Sequence, residues 1–324
     1  MFNDPKRAAV TSVELPREST CVDVAGTGFT VLDRIYADGA LTEEALGGSC
    51  GNVLISLAML RRQVAPVLAL GDDATGERLV SEFIQAGAVV RYISRRPGDA
   101  SPVLAQELDT ASGRHDFSFV CPTTRRVLPR YRTIDHSELE PALSLLRDCS
   151  VFYADRVSES ILEAMRTARD GGAIVYFEPS DCEGGDLFEE ALELASVLKY
   201  SEDRLGDRLT NRAFEAVHIA TFGAEGLRVR DAGHAYWCDA VSAANVIDTC
   251  GSGDIVSVAV IDWILKRRLS PRAFSAADLL VGILSGQVLA AENCGFAGAR
   301  GLFRAKGAAY VRQVLDRRYS AAIP

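Results

Sequence analysis

The chain has 324 residues, enough for one large α/β domain or a large domain with a small companion. At 48% hydrophobic and 24% charged it has the composition of a globular protein with a sizeable core. Its formal net charge of −9 argues against sequence-independent nucleic-acid binding, which needs a basic surface, yet leaves room for a small anion held by a local loop.

The 8 cysteines and 4 histidines are scattered, with no CxxC pair, so no zinc cluster is signalled. Cysteines within apolar runs suit a reducing cytoplasm, and neither a secretory leader nor a membrane span is expected.

In chain order, residues 1–18 are polar and expected to fray. The apolar run Cys21–Ala25 predicts a strand, and "TVLDRIYADG" a second with no helix between them. "ALTEEAL" reads as polar and helix-like, and Gly51–Arg62 as a helix. A strand over Val64–Gly71 and a helix over Gly76–Ala86 follow. "SPVLAQELDTASGRHDFSFV" predicts a hairpin turning at "DTASG". Strands at Val151–Ala154, Ala173–Phe177, Val197–Tyr200 and Val217–Phe222 then accompany helices at Ser158–Arg169 and Leu187–Ala195. Helices over Asp254–Lys266 and Ala273–Glu292 complete the pattern.

Continuous apolar strands alternating with helices imply an α/β fold, with a central, mostly parallel sheet covered by helices on both faces. The strands that lack helices, about 28–45 and 97–125, are expected to form a small β-sheet lid at the end where such sheets bind ligands. Residues 19–324 thus read as a single domain with a β lid.

"AGTGFTV" lacks the third glycine of a dinucleotide fingerprint, because Val31 stands there. "GGSCG" (Gly47–Gly51) fits GxSxG, but the strand a nucleophile elbow needs is not expected before it. The alternative there is a glycine turn approaching a ligand, with Asn52 ready to hydrogen-bond it. The chain holds no Gly-Lys pair, which excludes a Walker A loop.

"DTCGSGD" (Asp248–Asp254) remains. Its small residues let backbone N–H groups converge on an anion, and the following helix adds its positive end. Asp254 then has two readings: a carboxylate stabilised at a helix start, or an acceptor of a proton from a substrate hydroxyl beside an anion hole.

Asp248, Thr249, Gly251, Gly253 and Asp254 match the signature DTxGAGD of the ribokinase-like (PfkB) carbohydrate kinases, which this sequence resembles. "GGSCGN" and "TFGAEG" (Thr221–Gly226) come in the same family's order, and the likeness runs from about Cys21 to Gly301. The resemblance implies a ribokinase-like fold and an ATP-dependent phosphotransferase acting on a hydroxyl of a sugar or sugar-like small molecule.

It implies Asp254 as base and the backbone amides of Gly251, Ser252 and Gly253 as an anion hole for the γ-phosphate. Asp33, Gly47, Gly48 and Asn52 would hold the sugar. Ser201, Thr221, Gly223, Gly226 and Asn293 would line the nucleotide. ATP with Mg2+ is the implied cofactor set, with a monovalent cation such as K+ at Asp248 and the backbone around Cys250; "NCGFAGARG" would supply further carbonyls. A homodimer through the lid is also implied, while neither nucleic acid nor membrane is an expected partner.

Departures from the family pattern are Cys50, Leu54 and above all "SEDR", where Ser201 replaces Asn and Arg204 stands at a Glu position. Glu202, Asp203 or Arg204 itself would have to take over the phosphate and magnesium contacts. Two other readings stay open: a nucleoside kinase with Phe29, Tyr36, Phe117 and Phe119 beneath the base, and a non-catalytic sensor of nucleotide or sugar.

Overall fold

The computed structural model describes residues 22–109, 114–213, 215–271 and 273–322. The expected fraying at 1–18 and residues 110–113 of the predicted hairpin turn lie outside them.

Strand β1 (Val24–Thr27) leads into β2 (Val31–Ala37), β3 (Ala40–Gly47), helix α1 (Ser49–Met59), β4 (Val64–Pro66) and β5 (Leu68–Gly71). Next come α2 (Ala74–Ala86), β6 (Ile93–Arg96), β7 (Val103–Asp109), β8 (Arg114–Ser118), α3 (His136–Leu139) and α4 (Leu143–Asp148). Alternating units follow: β9 (Val151–Ala154), α5 (Glu159–Asp170), β10 (Ile174–Phe177), α6 (Asp186–Leu194), β11 (Val197–Ser201), α7 (Glu202–Leu209) and β12 (Val217–Thr221). The chain closes with β13 (Gly226–Arg230), β14 (Ala235–Asp239), α8 (Ser252–Arg267), α9 (Ala276–Asn293), α10 (Gly301–Lys306) and α11 (Ala308–Ala322).

The eight-stranded sheet has the order β14-β13-β12-β11-β10-β9-β1-β4. Its pairs are parallel from β4 to β12 and antiparallel at the β13–β14 edge. Successive side chains alternate between two buried faces: Val151, Tyr153, Ile174 and Tyr176 join one core with α1, α8 and α9, and Phe152, Ala154, Val175 and Phe177 the other with α4, α5 and α6. Burial on both faces explains why these strands read as unbroken apolar runs.

A separate four-stranded sheet, order β3-β2-β7-β8, carries the residues expected to lie apart from the main sheet. "ALTEEAL" is strand β3 within it, a correction of its helix-like reading. Asp38 and Gly39, with φ of 51° and 78°, make the two-residue turn that pairs β3 with β2. That pairing overrides the helical preference of Glu, Ala and Leu. The glutamates suit an edge strand, where charge discourages further pairing; Glu44 is bound by Arg34 and Arg78, and Glu43 by Arg304.

The run Val64–Gly71 divides into two strands, β4 and β5, which join different sheets. Pro66 has no N–H to extend the ladder, and Val67 N donates to Gly26 O at 2.8 Å before the chain leaves the main sheet. Among the described residues no helix is long and apolar enough to cross a membrane.

Candidate active site

Strand order reverses around β1, which lies between β9 and β4. The carboxyl ends of strands at such a switch point open a crevice for ligands. Asp155, just after β9, stitches it together: Phe29 N donates to Oδ1 at 2.8 Å and Cys50 N to Oδ2 at 3.0 Å. Burial raises the Asp155 carboxyl to about 6, with Arg156 and these amides opposing it. The bonds fix the loop after β1 against the start of α1.

Helix α8 starts at the same end. Its cap, Gly251, is left-handed (φ 74°), and a Cβ there would run into the backbone of Ala299, so only glycine fits. Gly253 and Asp254 lie in the first turn, where backbone N–H groups have no intrahelical acceptor. The Ser252 N–H turns back to Thr249 O at 3.3 Å.

Asn52 Nδ2 donates to Asp254 Oδ2 at 2.8 Å. The Asp254 carboxyl is raised to about 7 by burial and by the negative charge of Glu178, while Asn52 and Lys199 pull it down. Asp33, 7% exposed, is also raised to about 7: burial is the largest cause, Arg300 opposes it and Asp254 adds to it. Asp33 fills the space a side chain at Gly47 would need, and a Cβ at Gly48 would strike Phe29 O. The expected acceptor set, Asp33, Gly47, Gly48 and Asn52, is thus gathered beside Asp254. Asp33 Oδ1 and Asn52 Oδ1 are buried acceptors without a partner among the described residues, which suits a ligand bearing several hydroxyls.

The strand before "GGSCG" is present after all, so its supposed absence no longer argues against a nucleophile elbow. The strained turn residue is Gly48 (φ 79°), not Ser49, whereas an elbow strains its serine.

Glu178 and Lys199 were not anticipated. They form an ion pair between the residue after β10 and the middle of β11, with Lys199 only 3% exposed. Ser257 Oγ and Tyr153 Oη donate to Glu178 Oε2 at 2.5 and 3.2 Å. A Cβ on Gly253 would lie 3.3 Å from Lys199 Nζ, so the ammonium sits against the anion loop. A lysine inside the apolar run "VLKYS" was the available signal, since a buried lysine demands a partner.

Ser201 and Thr221 are register partners at the ends of β11 and β12. Gly223 (φ 57°) and Gly226 (φ 140°) shape the turn after β12, and Phe222 N donates to Gly226 O at 2.9 Å. "SEDR" begins helix α7. Glu202 is turned back onto Thr210 Oγ1 at 2.7 and 2.8 Å; Asp203 and Arg204 are exposed.

Asn293 corrects an expectation. It is fully buried, and its side chain is spent inside: Nδ2 donates to Cys250 O (3.3 Å) and Gly298 O (3.5 Å), and Oδ1 accepts from Leu302 N (2.9 Å). It clamps the α9–α10 loop to the anion loop and offers no group to adenine. Asp248, also fully buried, accepts from Cys250 N, Gly298 N and Gln106 Nε2 at 2.9, 2.8 and 2.7 Å, with His115 Nδ1 at 3.0 Å. Burial pushes its carboxyl up, but these donors outweigh it and hold it below the usual value.

The family model of the pfkB family carbohydrate kinases matches residues 37–280. The chain belongs to the pfkB family of carbohydrate kinases. A fructokinase from Vibrio alginolyticus is 24% identical over 188 residues, 55% of this chain and 60% of that protein. Solved pfkB-like folds include a fructokinase from Xylella fastidiosa with bound ATP (TM-score 0.70, 18% identity, covering 92% of this chain and 99% of that one). An aminoimidazole riboside kinase from Salmonella enterica, complexed with aminoimidazole riboside and an ATP analog, superposes with a TM-score of 0.69 at 19% identity, covering 90% and 99%. At these identities the two structures establish the shared fold.

Proposed function

We propose that this pfkB family member transfers the γ-phosphoryl group of ATP to a hydroxyl of a sugar or sugar-like small molecule. The observation that carries the reading is the placement of Asp254. Its carboxyl, near neutrality in pKa, stands between the amides at 251 and 253 and the acceptors Asp33 and Asn52. A polyol hydrogen-bonded to Asp33 and Asn52 presents a hydroxyl to Asp254, which takes its proton. The hydroxyl oxygen bonds to the γ-phosphorus, the bond from that phosphorus to the β–γ bridging oxygen breaks, and ADP leaves. The N–H groups at the start of α8, with Lys199 behind Gly253, stabilise the charge on the transferred group.

The residues suit a triphosphate arriving with magnesium. That ion needs only one or two protein carboxylates beside phosphate oxygens, and Glu178 is an acid beside the anion loop; among the described residues no three-ligand cluster would hold a metal alone. Held by Glu178, magnesium would supply charge that offsets the phosphates. Ser201, Thr221, Gly223 and Gly226 line the nucleotide side. The four-stranded sheet acts as the lid, and its exposed Leu41 and Phe117 (48% and 46%) suit pairing with a second copy.

A second acceptor class rests on Phe29, whose ring meets Tyr131 and Phe119 edge-on at 5.5 and 6.5 Å and lies 4.6 Å under Arg156. Such a platform suits the base of a nucleoside. Tyr36, buried against Cys121, and Phe117, exposed beside His115, do not join it. A phosphorylation screen over hexoses, pentoses and nucleosides, with Asp254→Asn as control, tests both. Turnover of a polyol that Asp254→Asn abolishes supports the kinase reading. Near-normal turnover by Asp254→Asn refutes Asp254 as base, and ligand binding without turnover by the unaltered chain points to a sensor.

A further inference from the structure

We infer that this chain holds no monovalent cation beside Asp248, and that nitrogen groups of its own, among them the Gln106 amide of the second sheet with the His115 ring beside it, take that position.

A carboxylate offers about four lone-pair sites. At Asp248 three are taken by donors, Cys250 N at Oδ1 and Gly298 N and Gln106 Nε2 at Oδ2, at 2.7–2.9 Å, and His115 Nδ1 lies 3.0 Å from Oδ1. Two carbonyl oxygens nearby each carry a donor as well. The Asn293 amide donates to both Cys250 O and Gly298 O. Potassium requires a ring of oxygens that replaces its hydration shell. Here those oxygens face N–H dipoles, whose positive ends repel a cation. Gln106 cannot present its oxygen to Asp248 instead, because that would set a carbonyl against a carboxylate. Gln106 Oε1 itself has no partner among the described residues, but one oxygen does not make a cage.

The substitution has a structural meaning. Gln106 lies on β7 and His115 on β8, so the second sheet is bonded directly to the first residue of the anion loop. Two hydrogen bonds reach the loop from Asn293 and Gly298 on the other side. Protein donors brought by the sheet therefore order the loop, in place of an ion drawn from solvent. The value of that order for phosphoryl transfer rests on the kinase reading; the occupancy of the position does not.

Thermal unfolding of the full chain in potassium, sodium and choline chloride at equal ionic strength tests the inference. We expect the same melting temperature in all three, because no cation binds the folded state selectively. A potassium-specific rise of about 2 °C, the size expected at roughly ten times a dissociation constant for a chain of this length, would overturn it. Gln106→Glu keeps the side-chain shape but exchanges a donor for anionic oxygens. It should acquire a potassium- or sodium-specific rise in melting temperature. A folded Q106E chain that stays indifferent to the cation would overturn the second half of the inference, that the Gln106 donor stands where a cation otherwise would. Melting is the readout, so a chain that phosphorylates nothing still answers the question of cation binding, and failure of the kinase reading stays distinguishable.

Discussion

Asn52 and Asp254 are 202 positions apart in the chain, yet the Asn52 amide donates to the Asp254 carboxylate at 2.8 Å. One residue opens onto α1 from the first glycine turn and the other onto α8 from the second. Their bond fixes the face of the carboxylate left for a ligand. It also stabilises the ionised form, so the amide tunes the proposed base downward against burial.

Asn52→Leu should therefore raise the Asp254 pKa. With a true acceptor, the acid limb of kcat/KM moves to higher pH. A displacement of one unit costs about 10-fold at pH values below the limb and recovers above it. A pH-rate profile that falls uniformly, without displacement, would assign Asn52 to acceptor binding alone.

Asp254→Asn should lower kcat by about 10²–10⁴-fold, the usual share of a general base. It should also stabilise the fold at alkaline pH. The folded carboxyl titrates near 7 against an ordinary value of 3.8, so between those values the folded chain holds a proton that the unfolded chain has released. Wild-type stability then falls as pH rises through that window. The variant escapes this loss, by on the order of 1–3 kcal/mol above pH 7, and the difference fades towards pH 4. Urea unfolding at both ends of the window measures it.

Lys199→Met strands the Glu178 carboxylate in a site where only 12% of its side chain is exposed. Loss of one partner from such a pair costs about 3–5 kcal/mol. Adding Glu178→Gln should recover much of that stability without restoring nucleotide affinity, because the ammonium behind Gly253 is still missing. Urea denaturation together with ATP titration separates the two effects.

Gly251→Ala meets two obstacles, a left-handed backbone costing about 1–2 kcal/mol and contact with Ala299. The anion loop should shift, with a larger loss in kcat than in acceptor affinity. Unchanged turnover would mean that the amides at 251 and 253 do not hold the transferred group.

Much of this site could be read from the chain because its parts are local. The anion loop and its acid lie within seven residues, and Asp33 and the glycine turn flank a single hairpin. The Asp38-Gly39 pair was the signal for that hairpin, outweighed in reading "ALTEEAL" by its helix-forming composition. Glu178 and Lys199 were not legible as a pair. Glu178 follows the end of one apolar strand and Lys199 lies within the next, and only the β10–β11 register, in which Phe177 faces Leu198, sets them side by side. Asn293 failed in the opposite way: its neighbourhood in the motif order was right, but nothing in a linear sequence says that its amide turns inward to carbonyls.

The Arg300 guanidinium donates to Leu46 O at 2.6 Å across 254 positions, and Gly298 N to Asp248 at 2.8 Å. Both acidic poles of the crevice are therefore completed by the segment between α9 and α10. On the ribosome the sheet can be translated, in order, long before these groups emerge. A nascent chain halted short of residue 298 lacks the ties that seat the anion loop, so the crevice cannot set until the segment between α9 and α10 has emerged.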